Sequence, residues 1–258
     1  MGERVYSVVI AGALGMIKSM RWPVTVVGGE HVPASGPAIL ASNHIGYLDF
    51  VFGGYAAREQ GRRVRFLAKK EIFDKGGVGW FMRQMGHIPV DRHGAADASV
   101  RAAVTALQAG EVIGMFPEAT ISPSFVPRKG KTGTVRAARE TGAPIIPVAV
   151  WGTQRILTKW RPRNFKRNIP IVVVVGEPLE MIEGEDAEAA TTRLMARITE
   201  LLEHAQRIYP AKPRGDADRW WLPAHLGGAA PTFEEAERRL AEEQAARKAR
   251  RASEGPPR

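Results

Sequence analysis

Short apolar runs alternate with longer amphipathic stretches through most of residues 24–208. The runs are rich in valine and isoleucine and end at glycine, proline or charged residues, which is typical of buried β-strands. The stretches between them repeat their apolar residues at helical spacing. Strands that alternate with helices predict a single α/β domain, in which helices cover both faces of a mostly parallel central sheet.

The same pattern predicts the limits of each element. Strands are predicted for residues 24–27, 38–42, 64–68, 87–92, 112–116, 144–150 and 169–175. Helices are predicted for residues 47–57, 69–73, 78–85, 97–108, 133–141 and 187–208. Asp97 suits the amino-terminal cap of one helix, and Gly86 and Gly110 suit the positions at which two helices stop.

The first segment of the chain, residues 1–22, is predicted as an amphipathic helix that associates with a membrane. Residues 5–17 carry no charge. A bilayer span needs about 20 apolar residues, so this run is too short to cross a membrane. With Tyr6 and Trp22 near its ends it suits a helix in the membrane interface, and it equally suits a helix packed on the core of the protein.

The last segment, residues 211–258, differs from the α/β domain predicted for residues 23–210. Its first part is rich in tryptophan, proline and glycine and includes Trp220 and Trp221. Residues 233–251 predict a helix of alanine, glutamate and arginine. This helix has so few apolar positions that it is expected to be solvated and partly frayed. The end of the chain is predicted to be disordered.

Composition and charge narrow the functional classes. The chain of 258 residues is 44% hydrophobic and 25% charged, as in ordinary globular proteins. It contains no cysteine, which excludes a disulfide framework, a cysteine nucleophile and thiolate metal ligands. Its formal net charge of +10 attracts polyanions, among them nucleic acid, anionic lipid headgroups and phosphorylated substrates. Its histidines show no paired metal-binding spacing, so no metal is predicted. No cofactor is predicted either, because Phe125 and Met82 stand where a phosphate loop and a dinucleotide turn need glycine.

The most informative stretch follows the strand predicted for residues 38–42. His44 lies in the turn between this strand and the next helix, and Asp49 lies in the first turns of that helix. Ligands of open α/β sheets bind at this end of the strands. Because the turn folds back, the carboxylate can meet the imidazole, and a neutral histidine held in this way is a general base. A buried structural pair is the alternative that this motif alone leaves open.

Two other predicted strands also end in polar side chains. Glu118 and Thr120 follow the strand predicted for residues 112–116, where they can hold a polar acceptor. Arg92 ends the strand predicted for residues 87–92, and a guanidinium suits a phosphate. A strand-terminating turn and a surface ion pair are the simpler interpretations of these two stretches.

Together these stretches resemble the glycerolipid acyltransferases. Residues 43–49 contain the H-x4-D motif of that family. Residues 86–92, 116–120 and 146–148 are similar to its second, third and fourth motifs, in the same order and at the same spacing. The resemblance covers residues 36–150 and is closest to the bacterial 1-acylglycerol-3-phosphate acyltransferase branch.

The resemblance implies a role for each matched residue. His44 is the catalytic base, Asp49 is its partner, and Arg92 binds the phosphate of the acceptor. The substrate-binding residues that the motifs imply are Asn43, Lys69, Gly86, Arg92, Glu118, Ala119 and Thr120.

The third motif departs from the family pattern at two positions. The family usually has glycine where this chain has Ala119, and arginine where it has Ile121. The loss of that arginine leaves the identity of the acceptor open. Arg128, Lys129 and Lys131 are candidates for a replacement charge.

The resemblance also implies direct transfer of a fatty acyl group to the hydroxyl of lysophosphatidate, with acyl-CoA or an acyl carrier protein as the donor. His44 takes the hydroxyl proton, and backbone N–H groups in the turn after His44 are predicted to bind the thioester oxyanion. Glycerol 3-phosphate, a glycolipid or an aminolipid is an alternative acceptor. A non-catalytic module for anionic surfaces is the alternative outside enzymes, and it explains the charge but not the polar residues at the strand ends.

The expected surroundings of the enzyme follow from its charge, its first helix and the resemblance. We expect a peripheral, monotopic protein at the cytoplasmic face of the cell membrane, in contact with anionic lipids. The predicted partners are the acyl thioester donor and the lysophospholipid acceptor, and no nucleic acid is expected. The basic and aromatic run of residues 159–167 suits anionic lipid or the phosphates of CoA, and it also suits a solvated loop.

Overall fold

A seven-stranded sheet forms the centre of the protein, whose computed structural model describes residues 2–90 and 97–254. The strands are β1 (Val24–Val27), β2 (Ala38–Ser42), β3 (Val64–Lys69), β4 (Ile88–Val90), β5 (Val112–Met115), β6 (Ile145–Trp151) and β7 (Ile171–Val175). Their order across the sheet is β1-β7-β6-β2-β5-β3-β4. Neighbours among these strands are parallel except for β6 and β7, so the predicted, mostly parallel α/β sheet is confirmed.

The helices alternate with the strands, as the hydrophobic pattern predicts. They are α1 (Gly2–Ser19), α2 (Asp49–Tyr55), α3 (Lys70–Phe73), α4 (Gly76–Gln84), α5 (Asp97–Gln108), α6 (Gly133–Thr141), α7 (Ala187–Arg207) and α8 (Phe233–Glu254). The observed α2 is shorter at both ends than the helix predicted for residues 47–57. It begins later because the turn that contains His44 extends up to α2.

Helices cover both faces of the sheet. Successive side chains of a strand point to opposite faces. On β2, Ala38 and Leu40 pack in a cluster with residues of α1 and α2, whereas Ile39 and Ala41 pack with residues of α5, α6 and α7. Burial on both sides explains why this strand is a continuous apolar run instead of an alternating one.

The first helix is partly packed on the core and partly exposed. Ile17, near the end of α1, is buried, and so is Trp22, whose indole N–H donates to the carbonyl of Lys166 at 2.8 Å. Trp22 therefore does not take the membrane-interface position that the sequence suggests. Val8 and Met16 remain exposed. Within the described part of the chain, no helix is long and apolar enough to span a bilayer.

The charged helix α8 packs against the α/β unit. Ala236 and Leu240 are buried, and they lie four positions apart on one face of the helix. The expectation of a solvated, partly frayed helix is wrong for this part, because the side chains next to this narrow apolar face also find partners. Glu237 forms an ion pair with Arg128, and Glu243 accepts the indole N–H of Trp160 at 2.6 Å. The last residues of the segment predicted as disordered lie outside the described residues.

Candidate active site

The site lies where the parallel strands β2, β5 and β6 end. Because the three strands are neighbours in register, the residues that follow them meet at one edge of the sheet. His44 follows β2, Glu118 follows β5 and Thr153 follows β6. Open α/β sheets bind their ligands at this edge.

His44 and Asp49 form the hydrogen-bonded pair that the motif predicts. The imidazole Nδ1 lies 2.9 Å from Asp49 Oδ2. The Asp49 side chain is fully buried, whereas the His44 side chain is 19% exposed and can be reached from outside the protein. The imidazole also stacks on Phe116, with the ring centroids 4.1 Å apart. Since Nδ1 donates its proton to the carboxylate, the neutral ring carries its acceptor lone pair on Nε2.

Three further donors hold the Asp49 carboxylate. The backbone N–H groups of Ile45 and Gly46 donate to Oδ2 at 2.7 and 2.8 Å. The hydroxyl of Thr153 donates to Oδ1. A carboxylate bound at both oxygens cannot rotate freely, so it fixes the orientation and the tautomer of the imidazole that it holds.

The turn after His44 directs its N–H groups to acceptors of the protein itself. The N–H of His44 donates to Glu118 at 2.7 Å, and that of Tyr47 donates to a carbonyl in the segment after β6 at 2.8 Å. The two N–H groups between them donate to Asp49. The prediction that these N–H groups bind the thioester oxyanion is therefore wrong, because Asp49, Glu118 and a backbone carbonyl already accept them.

Thr153 is a site residue that the sequence analysis missed. It lies 104 positions from Asp49 in the chain, and it follows Gly152, whose φ of 110° turns the backbone at the end of β6. Gly46 permits its approach, since a Cβ at that position would lie 3.0 Å from Thr153 Oγ1. The signal in the sequence was a polar residue shortly after the end of a predicted strand, as for His44 and Glu118.

Glu118 joins two backbone segments of the site. Its Oε1 accepts the N–H of His44 at 2.7 Å, and its Oε2 accepts the N–H of Arg128 at 2.9 Å. The side chain is 2% exposed. Burial raises the pKa of Glu118 to about 8, although both backbone donors oppose the rise. Glu118 thus holds the loop after β5 against the turn of His44, and its contact with an acceptor stays a prediction.

The raised pKa of Glu118 predicts that stability falls as the pH rises. Between the ordinary pKa of 4.5 and the folded value of about 8, the folded protein holds a proton that the unfolded chain has released. The contribution to stability is complete below pH 4.5 and is lost as the pH passes through 8. For one group, the free energy of unfolding falls by at most about 1.4 kcal/mol per pH unit.

Urea unfolding of the wild type and of Glu118→Gln between pH 6.5 and 8 measures this contribution. Glutamine imitates the protonated acid, so the variant should lose less stability across that range. His87, whose pKa is lowered by burial to about 4 from an ordinary value of 6.5, contributes equally to both proteins and cancels in the comparison. Equal slopes for the two proteins would contradict the raised pKa.

Ala119 has a left-handed backbone conformation, with a φ of 59°. This conformation suits glycine and costs other residues about 1–2 kcal/mol. Its backbone N–H donates to the carbonyl of Phe116 at 2.9 Å, which closes a tight turn around the buried Glu118. The absence of the glycine typical of this motif therefore carries a conformational cost.

We expect Ala119→Gly to stabilise the fold by about 0.5–1 kcal/mol, because relief of the left-handed strain exceeds the freedom that glycine adds to the unfolded chain. Urea unfolding measures the change. The matched control is Ala196→Gly in α7, where the alanine is exposed in the helix interior and the same substitution should cost about 1 kcal/mol. Destabilisation by both substitutions would disprove the strain.

The surroundings of Thr120 and Ile121 show which cation lies near the third motif in this chain. Ile121 is 3% exposed, so its side chain belongs to the interior. Thr120 Oγ1 accepts a hydrogen bond from Lys159 Nζ at 2.8 Å. Arg128, one of the suggested replacements, instead forms a two-point ion pair with Glu237. Lys159, which the sequence analysis did not suggest as a replacement, is thus a cation placed against the third motif.

Asn43 and Lys69 lie at the carboxyl ends of β2 and β3, two strands that β5 separates. The Asn43 amide is buried and bonds both polar backbone atoms of Val150, donating at 3.0 Å and accepting at 2.7 Å. It therefore ties the end of β2 to β6, and its predicted substrate contact would use an amide already bonded twice. Lys69 is exposed and is the last residue of β3, at the same edge of the sheet as His44.

Gly86 and Arg92 are not placed next to His44 by the described residues. Gly86 precedes β4 and so lies toward the opposite, amino-terminal edge, where a Cβ would approach Arg65 Nε to 3.2 Å. Arg92, predicted to bind the acceptor phosphate, lies outside the described residues. Across residues 2–90 and 97–254, no three histidine or acidic side chains are placed to hold a metal ion.

Comparison with known proteins assigns the chain to a family. The sequence pattern of the family described as "Acyltransferase" matches residues 23–151. A 1-acyl-sn-glycerol-3-phosphate acyltransferase of Bacillus subtilis is 30% identical over 198 residues, which are 77% of this chain and 92% of the relative. The chain belongs to the acyltransferase family. It is therefore an enzyme, and the alternative of a non-catalytic binding module is wrong.

Other relatives of this acyltransferase agree with the assignment. The chloroplastic 1-acyl-sn-glycerol-3-phosphate acyltransferase LPAT1 of Arabidopsis thaliana is 25% identical over 70% of this chain, and the match spans 50% of that longer protein. The crystal structure of the 1-acyl-sn-glycerophosphate (LPA) acyltransferase PlsC from Thermotoga maritima superposes with a TM-score of 0.65. That match covers 81% of this chain and 84% of the other at 24% identity, so it shows a shared fold.

Proposed function

We propose that this acyltransferase moves a fatty acyl group from an acyl thioester to the hydroxyl of lysophosphatidate, and so forms phosphatidic acid for phospholipid biosynthesis. The observation that carries the proposal is the accessible His44 imidazole, fixed by a buried Asp49 at the ligand-binding edge of the sheet. The activity named for the relatives in Bacillus subtilis and Arabidopsis thaliana supports the choice of acceptor.

In the proposed reaction His44 acts as a general base. Its Nε2 takes the proton of the acceptor hydroxyl while the oxygen attacks the carbonyl carbon of the thioester. The tetrahedral intermediate collapses, the carbon–sulfur bond breaks, and the departing thiolate takes the proton from the imidazolium. One ester and one thiol are formed, and no covalent acyl-enzyme is needed.

Asp49 stabilises the imidazolium that forms during this step. A buried carboxylate beside the developing positive charge lowers the energy of the transition state and keeps Nε2 in the acceptor tautomer. Because two backbone N–H groups and Thr153 already hold the carboxylate, little rearrangement is needed as the charge develops.

We propose Lys159 as a cation for the acceptor phosphate. Its ammonium group lies at Thr120, in the motif that usually supplies an arginine. A lysine ammonium binds phosphate as a point charge, without the two-point geometry of a guanidinium. This chain is therefore expected to discriminate less sharply than an arginine-bearing relative between acceptors that differ in their phosphate.

Membrane association is part of the proposal. Helix α1 contacts α4, and both expose apolar side chains, including Val8, Val78 and Trp80. Exposed apolar residues on adjacent helices can enter the interface of a bilayer, while the net charge of +10 draws the protein to anionic lipid. We place the enzyme peripherally at the cytoplasmic face, where its lipid acceptor and its soluble donor meet.

A thiol-release assay tests the function. Purified protein receives palmitoyl-CoA together with lysophosphatidate, glycerol 3-phosphate or an uncharged monoacylglycerol, each in a separate reaction. Release that requires lysophosphatidate supports the proposal. Equal release with the monoacylglycerol would disprove phosphate recognition and would favour a neutral acceptor. If no acceptor supports release, the assay is repeated with a palmitoylated carrier protein, and failure there too would overturn the proposed acceptor.

A further inference from the structure

A cavity lies between α8 and the loops that follow β5 and β6. It has a volume of about 510 Å³, within the range of small-molecule sites of about 300–1,000 Å³. Its walls include Phe125 from the loop after the third motif, Trp160 and Trp220 from two separate segments, and the middle of α8. We refer to it as the α8 cavity.

Aromatic and cationic side chains lie against each other in the wall of the α8 cavity. The guanidinium of Arg239 lies 4.0 Å from the ring centroid of Trp160, and that of Arg161 lies 5.5 Å from the ring centroid of Trp220. Arg238 joins them in the wall. With Lys159, these arginines give four positive side chains against the two acidic ones, Glu235 and Glu242, so the lining is positive overall.

The wall formed by α8 is fixed to the catalytic loops. Glu237 holds the guanidinium of Arg128 at two points, and the backbone N–H of Arg128 binds Glu118. Glu243 accepts the indole N–H of Trp160 at 2.6 Å. The cavity is therefore built from long-range contacts and does not depend on one loose loop.

The α8 cavity opens beside the active site. Lys159 lines it and also donates to Thr120 of the third motif. Pro123 and Phe125, from the loop that continues from that motif, line it as well. A ligand with one end in the cavity can thus extend along this loop toward the edge of the sheet at which His44 lies.

We propose that the α8 cavity binds the nucleotide end of coenzyme A, so that the preferred acyl donor is acyl-CoA. The inference rests on the proposed function, because it concerns the donor of that reaction. A purine base stacks well on tryptophan and on arginine. Guanidinium groups bind phosphates through paired hydrogen bonds. The pantetheine arm of CoA would then run along the loop that continues from the third motif, toward the edge of the sheet at which His44 lies. An acyl carrier protein has no adenine nucleotide to place there.

Isothermal titration calorimetry of CoA, dephospho-CoA and pantetheine into the full-length protein tests the site without turnover. CoA should bind most tightly, dephospho-CoA less tightly and pantetheine least. Arg161→Gln and Arg238→Gln should each weaken CoA binding by about tenfold, the size expected for a lost charge-assisted hydrogen bond. The matched control is Arg101→Gln, which removes the same charge from an exposed position on α5 and should leave CoA binding unchanged.

Turnover separates failure of this site from failure of the proposed function. The ratio of kcat/KM for palmitoyl-CoA to that for palmitoyl-pantetheine should fall about tenfold in the two arginine variants, and it should not fall in Arg101→Gln. If CoA binds no more tightly than pantetheine, the proposed nucleotide site is wrong, even if palmitoyl-pantetheine is a good donor. The proposed nucleotide site is also wrong if the enzyme uses an acylated carrier protein as donor while CoA fails to bind. Loss of transfer with every donor counts against the proposed function, and the calorimetry still decides the cavity.

Discussion

His44→Ala should lower kcat for acyl transfer by about 10³- to 10⁴-fold, because the acceptor hydroxyl then has no positioned base. Alanine removes both nitrogens, so nothing takes the proton as the oxygen attacks, and the alkoxide must form unaided. Binding of either substrate should change far less than kcat. Thiol release under saturating palmitoyl-CoA and lysophosphatidate measures the loss.

The control for this variant is His225→Ala, which removes an imidazole from an exposed position in the C-terminal segment. It should retain wild-type turnover. Thermal unfolding of both variants shows whether the fold survives, since His44 Nδ1 also satisfies the buried Asp49. A folded His44→Ala protein with more than a tenth of wild-type turnover would rule out the general-base role.

Asp49→Asn should lower kcat by up to ~10⁴-fold, the size seen when the carboxylate behind a catalytic histidine becomes an amide. An amide has one acceptor oxygen, whereas the carboxylate of Asp49 accepts from two backbone N–H groups, Thr153 and His44. Its NH₂ group would face one of these donors, and the imidazole would lose its fixed tautomer. The free energy of unfolding should also fall, by about 1–3 kcal/mol for each buried donor left unpaired.

Thr153→Val is the matched comparison, because it removes a single donor from the same carboxylate at nearly constant volume. Its kcat should fall by about tenfold, the value of one hydrogen bond to a charged group, and Thr153→Ser should restore most of that loss. A loss of kcat without a change in KM, reversed in Thr153→Ser, separates positioning of Asp49 from a general structural effect. Wild-type kcat in Asp49→Asn would refute the partnership with His44.

The sequence predicts the parts of the site that depend on local order. The apolar run of β2 and the polar turn after it place His44 at a strand end, and a short fold-back toward the next helix brings Asp49 to it. Each inference uses residues close together in the chain and the rule that parallel strands expose their carboxyl ends to ligands.

Contacts between distant segments could not be predicted in this way. Thr153 reaches Asp49 across 104 positions, and Arg128 reaches Glu237 across 109. Such pairs depend on strand order and on where the last helix packs, which one sequence does not specify. The wrong oxyanion prediction has a cause that is partly local. The turn after His44 offers donors, and only the folded chain shows that Asp49 and Glu118 accept them.

The contacts of α8 have a consequence for mutational tolerance. The tail looks like an interchangeable mixture of alanine, glutamate and arginine. The positions that it buries or bonds to other parts of the fold include Ala236, Glu237, Leu240 and Glu243, which lie on one side of the helix. Substitutions should therefore be accepted or rejected with helical periodicity. Two glutamates a few positions apart can differ greatly in how much change they allow, although the composition of the tail gives no hint of it.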